Sequence, residues 1–429
     1  MIFLIRKFRR SDVGLVLVLM FFSGLAGYLG KSVENPYKIL MLVLTVYLAL
    51  KYKSFKFTTV REITLLIFFI LFSISFITSS FYNKDPFTLI FSQYAKFLVP
   101  FLFLSIFSKF SKRNSYRINT INVVLLHLLL AQIILSAAKL IIFGGVETIV
   151  GSISYIGGAL ATLLPIVGFI YIWLLREGKM SRMDWILIIG LLLIGFVSKK
   201  RAVWFIMPII LTAIIFYVSK RRIPRNALIV VLIIPLTFYL GVRLNRTLNK
   251  EHKVWGSFDL EYVMNYAREY TFGINEDNPE IELGHGRGGA TLLLLQKLAD
   301  EGLRYQENIL GYGFDEIYTK SYEQFDNEKF GIINKGSATG FFQSYITNGL
   351  LGIITFLLYV YTLLSFIKIK RLRILIILIF LWEYFLYTGI LFRIQPLTIM
   401  LMYIIIYSNH LYTNKQFLNQ YRPIFRNTE

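Results

Sequence analysis

The chain has 429 residues, 56% of them hydrophobic and 16% aromatic, with a formal net charge of +21 and no cysteine. A soluble chain of this length would distribute its apolar residues in short periodic clusters. Here they form runs that match a hydrocarbon core of roughly 30 Å, crossed at about 1.5 Å per helical residue. The missing cysteines exclude disulfides and cysteine-based zinc or redox centres, and no alternating segments of about 10 residues suggest a transmembrane barrel.

In chain order, the basic start MIFLIRKFRR leads into an apolar run at Val13 without a small-residue cleavage site, so it reads as a retained first helix. Twelve membrane spans are predicted, near 13–30, 37–52, 63–81, 88–108, 119–143, 157–175, 185–198, 202–219, 226–242, 349–367, 373–391 and 395–409. The basic connections are Arg6 to Arg10, Lys51 to Arg61, Lys109 to Arg117, Arg176 to Arg182, Lys220 to Arg225 and Lys368 to Arg373. They fall on alternate sides of this arrangement, all with the N-terminus, and the tail (Lys415, Arg422, Arg426) joins them. The positive-inside rule makes that side cytoplasmic, with both termini in the cytoplasm. The expected fold is an all-α polytopic membrane protein of about 12 transmembrane helices in the cytoplasmic (inner) membrane. It divides into 1–242 (nine helices), a large extracytoplasmic loop at 243–348, and 349–429 (three helices and a cytoplasmic tail).

Charge supports this division. Residues 243–337 hold 11 Lys/Arg against 16 Asp/Glu, so the positive charge belongs to the remaining segments, where it meets anionic lipid headgroups rather than nucleic acid. The loop is polar, rich in tyrosine and glycine, and predicts amphipathic helices over Ala290–Glu301 and around Leu260–Tyr270. A connection of this length usually carries function, although a passive extracellular cap is the plain alternative.

Lys199-Lys200-Arg201 interrupts two apolar runs on the outer side, where the positive-inside rule disfavours cations. Such charges either meet an anion or snorkel to headgroups. Gly284-His285-Gly286-Arg287-Gly288-Gly289 matches G-x-G-x-x-G but lacks the strand and βαβ unit of a dinucleotide site. What remains is an anion site at a helix N-terminus beside Arg287, or an ordinary glycine-rich turn. Of the four histidines, His252 and His285 lie in the loop, where an imidazole can act as acid or base. No metal-ligating spacing, P-loop or G-x-S-x-G is present, so no metal or cofactor is expected. Glu383 is the main carboxylate inside a predicted span, and this scarcity counts against a proton-coupled transporter.

Four features together resemble the O-antigen polymerase and O-antigen ligase superfamily of bacterial membrane glycosyltransferases. They are the single long outward loop between two late helices, Ser198-Lys199-Lys200-Arg201-Ala202, Gly286-Arg287 followed by Ile309-Leu310-Gly311-Tyr312-Gly313-Phe314, and Asn348-Gly349-Leu350-Leu351-Gly352. Ligases of the family carry a histidine and a polar residue nine positions before the last motif; Ala338 and Thr339 stand there. The resemblance therefore implies a polymerase joining repeat units of O-antigen (lipopolysaccharide) or capsule, with a ligase or a lipid-linked glycan flippase as alternatives.

It further implies an undecaprenyl diphosphate-linked oligosaccharide as donor, with a flippase and a chain-length regulator as partners. Arg201 and Arg287 would be the catalytic cations, with Lys199, Lys200, Gly286, Gly311 and Gly313 binding substrate. Asp315, Glu316 or His285 would act as base, of which Asp315 and His285 are singled out. The loop tyrosines suit stacking on sugar faces.

Overall fold

A computed structural model of the chain describes residues 12–55, 57–113, 115–144, 150–154, 158–176, 180–198, 201–218, 223–272, 287–318, 320, 338–389 and 391–425. Among these residues the fold is all-α, with seventeen helices and no strand. The order is α1 (Asp12–Phe21), α2 (Ser23–Tyr28), α3 (Lys31–Lys51), α4 (Val60–Tyr82), α5 (Phe87–Arg113), α6 (Ser115–Phe143), α7 (Leu160–Arg176), α8 (Arg182–Val197), α9 (Arg201–Val218) and α10 (Ile223–Leu244). Then come α11 (Leu260–Phe272), α12 (Arg287–Glu301), α13 (Gln306–Leu310), α14 (Phe314–Tyr318), α15 (Gly340–Ser365), α16 (Lys370–Leu386) and α17 (Gln395–Phe425). Each predicted apolar segment falls on a helix, the first one broken at Phe22 between α1 and α2.

Among the described residues, four helical stretches are long and apolar enough to cross a membrane by length and composition: α4, Phe87–Ser111 of α5, Arg117–Phe143 of α6, and α15. Helix α4 shows what kind of surface they present. Leu65, Phe69, Phe72 and Phe76 are buried on one face, while Ile63, Ile67, Ile70, Ile74, Ile77 and Phe81 are exposed on the other. A helix apolar on both faces has no water-facing side, as a lipid-exposed helix should. The shorter α8 repeats the pattern, with Leu187, Leu191 and Ile194 inside and Ile186, Ile189 and Leu193 outside.

The centre of the bundle is built on α7 and α17, which are buried without interruption over Leu160–Ile172 and Pro396–Ser408. These two pack together and are bridged to α6 by polar atoms. The Tyr403 hydroxyl donates to the Asn122 side-chain oxygen at 2.7 Å, and the Tyr171 hydroxyl to the Asn122 carbonyl at 3.1 Å. Buried hydroxyls bonded in this way avoid the cost of unsatisfied polar groups. Helix α15 lies along α4, with an aromatic seam of Phe69 beside Tyr359 (5.4 Å between ring centroids) and Phe72 beside Phe356 (5.6 Å).

The connections separate into two ends. Ser23, Lys38, Ser92, Ser154 and Arg393 line one cleft, whereas Ser54, Glu62, Ser108, Lys109 and Phe366 line another. Both clefts touch α5, at Lys96 and at Lys109, so about 20 Å of helix separates these lysines. The second end carries the starts of α4 and α8, each closed by a capping box. Thr59 and Glu62 bond reciprocally to each other's backbone amides, as do Ser181 and Asp184, and Arg176 at the end of α7 reaches Asp184 at 2.9 Å.

Candidate functional site

Helix α15 is interrupted at Gly349, whose φ of +62° and ψ of −166° lie outside helical geometry. A break inside an apolar bundle releases carbonyls that need new donors. The segment after α13 supplies them: Tyr312 and Gly313 amides donate to the Ile346 carbonyl at 2.6 and 3.1 Å. The Ser79 hydroxyl of α4 serves the Thr347 carbonyl (2.7 Å) and that of Leu310, and the Asn83 amide reaches Gly311 O at 3.2 Å.

Glycine is required on both sides of this contact. Gly311 has φ +84°, and its added Cβ would meet Gly349 N at 2.6 Å; a Cβ on Gly349 would meet the Ile309 carbonyl at 2.3 Å. The next turn, at α14, is held by Asp85 from the α4–α5 connection, which accepts the Phe314 and Asp315 amides at 2.9 and 3.0 Å. Burial raises the Asp85 carboxyl above its ordinary range, and those two amides offset part of the rise. Two of the sequence motifs, Ile309–Phe314 and Asn348–Gly352, are thus one structural unit.

Arg287 is the first residue of α12, whose following residues Gly288, Gly289, Ala290 and Thr291 are buried. The Thr291 hydroxyl is 2.9 Å from that of Thr339, which caps α15 by accepting the Phe342 amide at 3.2 Å. Gly340 and Gly389 meet backbone to backbone, and the Gly340 amide donates to Tyr387 O at 3.2 Å. The Arg287 guanidinium lies 4.9 Å from the centre of the Tyr387 ring. The arginine therefore stands where the start of α12, the start of α15 and the end of α16 meet.

Across the first turns of α15 lies Arg393. Its guanidinium donates to the Gln343 side chain, to the Ser344 hydroxyl at 3.2 Å, and toward the Gly340 carbonyl at 3.5 Å. Arg393 shares a cleft of about 200 Å³ with Lys96 of α5 and Lys38 of α3. Glu34, paired with Lys38 at 2.7 Å, is the one carboxylate among its described lining residues. The Lys96 ammonium donates to Gln93 at 2.7 Å and stands 5.1 Å from the centre of the Tyr318 ring in α14. Sequence reading passed over both Lys96 and Arg393. A lysine well inside an apolar run was the available signal, but that it faces Arg393 follows only from the packing of α3, α5 and residues 393–396.

The other predicted residues fare unequally. Arg201 opens α9, but its side chain lies outside the described residues, as do Lys199, Lys200, His285 and Gly286. Gly311 and Gly313, expected at the substrate, have the space beside their α-carbons filled by backbone at 348–349 and by Asn83 and Asp85, so geometry gives them a docking role. Asp315 is partly buried in the first turn of α14, and Glu316 pairs with Lys320 at 2.7 Å. Among the described residues no group of three His, Asp or Glu side chains could hold a metal ion. The end of the bundle that joins α12–α14 to α15 can thus present guanidinium and ammonium groups to an anion, with a carboxylate nearby. No family model, curated protein or solved structure matches the chain.

Proposed function

We propose that the chain is a membrane glycosyltransferase that polymerises oligosaccharide repeat units carried on a polyprenyl diphosphate, as in O-antigen or capsule assembly. The observation that carries this reading is Arg287 at the junction of α12, α15 and α16, at the same end of the bundle as Lys96 and Arg393. In the reaction an acceptor hydroxyl attacks the anomeric carbon of the donor glycan. The bond from that carbon to the diphosphate oxygen breaks, and its electron pair leaves with the polyprenyl diphosphate.

Negative charge grows on the departing oxygen, and fixed cations lower the barrier because they require little reorganisation as it develops. Arg287 takes this role, with a planar guanidinium suited to gripping two phosphate oxygens, and Arg201 is its proposed partner at the start of α9. The hydroxyl proton passes to a base in the loop, for which Asp315, Glu316 and His285 are the candidates. Ala338 occupies the position where ligases of the resembling family carry histidine, and Thr339 that of the polar residue after it. The absence of that histidine favours polymerisation over ligation, and the Thr339 hydroxyl is engaged by Thr291 and the Phe342 amide.

In the proposed topology twelve spans cross the cytoplasmic membrane, both termini are cytoplasmic, and α11–α14 lie outside. The grouping of Lys109 and the start of α4 at one end, opposite Lys96 and Arg393, supports it. Replacing Arg287 by alanine in the source cell tests the function: surface glycan falls to single repeats while the protein remains in the membrane. Normal chain lengths would refute the assignment.

A further inference from the structure

The Lys38–Lys96–Arg393 cleft contains more positive charge than its own residues neutralise. Glu34 is an i,i+4 partner of Lys38 on the same helix, with both side chains partly exposed, so it answers that lysine at the rim. Lys96 and Arg393 are contacted instead by neutral groups, Gln93 and the Tyr318 ring for the first, Gln343 and Ser344 for the second. Lys38 and Arg393 also lie close enough to Lys96 to repel it, and Glu34 close enough to offset part of that repulsion. Three cations gathered with one carboxylate in a partly water-excluded cleft raise one another's energy, and an entering anion removes that cost.

The site is built rather than accidental. Arg393 is held by two side chains and a carbonyl of α15, and Lys96 is oriented by Gln93 and by α14. The cleft's volume of about 200 Å³ is several times the roughly 30 Å³ share of one liquid water molecule, which leaves room for an oxyanion and part of a ring. Ser92 and Tyr37 also contribute to its lining.

We propose that Lys38, Lys96 and Arg393 form an anion-binding subsite, separate from Arg287, that takes a carboxylate or phosphate group. The identity of the molecule bearing that group rests on the reading of the chain as a glycan polymerase, in which it belongs either to an acidic sugar of the repeat unit or to the lipid diphosphate. The existence of the subsite does not depend on that reading.

The test uses the full-length protein in lipid nanodiscs and calorimetric titration with glucuronate, inorganic phosphate and neutral glucose. The wild type binds at least one of the two anions and not glucose. Lys96→Met weakens anion binding about tenfold, the scale of one charge-assisted contact. Because Lys96 is partly buried, Lys38→Ala at the rim provides a second variant whose fold is less at risk, with the same direction expected. Lys250→Ala, an exposed lysine paired with Asp259, leaves binding unchanged.

Preference for glucuronate identifies an acidic sugar as the occupant, and preference for phosphate identifies the diphosphate end; either supports the subsite. Anion binding that is undetectable in the wild type, equal to that of glucose, or unaffected in both cleft variants would overturn it. A polymerase assay that fails while this titration succeeds would remove the proposed function and leave the subsite standing.

Discussion

At one end of α5, Lys96 meets Lys38 and Arg393 across a cleft whose described lining holds a single carboxylate, Glu34. At the other end, Lys109 shares a cleft of similar size, about 220 Å³, with Glu62 and the hydroxyls of Ser54, Ser105 and Ser108. The polar groups of the second cleft are largely consumed by the fold: Glu62 closes the capping box of α4, Ser54 donates to Ala49 O at 2.9 Å, and Ser105 bonds to Ser54 O. At the first end the cations converge, and α12–α14 are fastened beside them through the break at Gly349. Charge toward one end of the bundle is therefore not informative by itself. What separates the two ends is whether local backbone and carboxylates already satisfy it.

The sharpest way to break this comparison is to unfasten the first end. Gly311→Val places a branched side chain where φ is +84° and the Gly349 amide leaves no room. We expect a loss on the order of 3 kcal/mol or more, enough to remove most folded protein from detergent extracts. Next comes Arg287→Ala, with transfer activity lowered about a hundredfold in the manner of a lost electrostatic donor, and Arg287→Lys recovering part of it. Both are read by glycan chain length and by initial rates. Asp85→Ala removes the acceptor of two amides and costs about 1–3 kcal/mol. Its signature is faster hydrogen exchange confined to Phe314–Tyr318, and Asp85→Asn, which keeps one oxygen acceptor, is milder. The smallest effect belongs to the other end: Glu62→Ala loses half of a capping box, about 0.5–1 kcal/mol of stability, and leaves glycan length unchanged. If Glu62→Ala shortened glycan as Arg287→Ala does, the distinction between the ends would collapse.

The helices were readable because long apolar runs have few alternatives: Val60–Tyr82 and Arg117–Phe143 stand close to the predicted 63–81 and 119–143. The amphipathic helices of the loop were readable from periodicity, and α12 begins at Arg287, three residues before the expected Ala290. The short α13 and α14 were not, since five residues carry too little pattern to register. Gly311 and Gly313 are legible as a motif, but their packing is not, because a sequence does not reveal that a helix 38 residues away from Gly311 breaks at Gly349 to receive them. Lys96 and Arg393 were missed for the complementary reason. Lys96 stands out inside its apolar run, but its chemistry and that of Arg393 arise from a convergence of α3, α5 and the α16–α17 connection.

The most direct measurement of the central claim is a reconstituted reaction: purified full-length protein in lipid nanodiscs, given a polyprenyl-diphosphate-linked oligosaccharide repeat. The account predicts glycans lengthened by whole repeats, with one polyprenyl diphosphate released per bond formed, and loss of both in Arg287→Ala. Translocation of the lipid-linked substrate without any new glycosidic bond would contradict it.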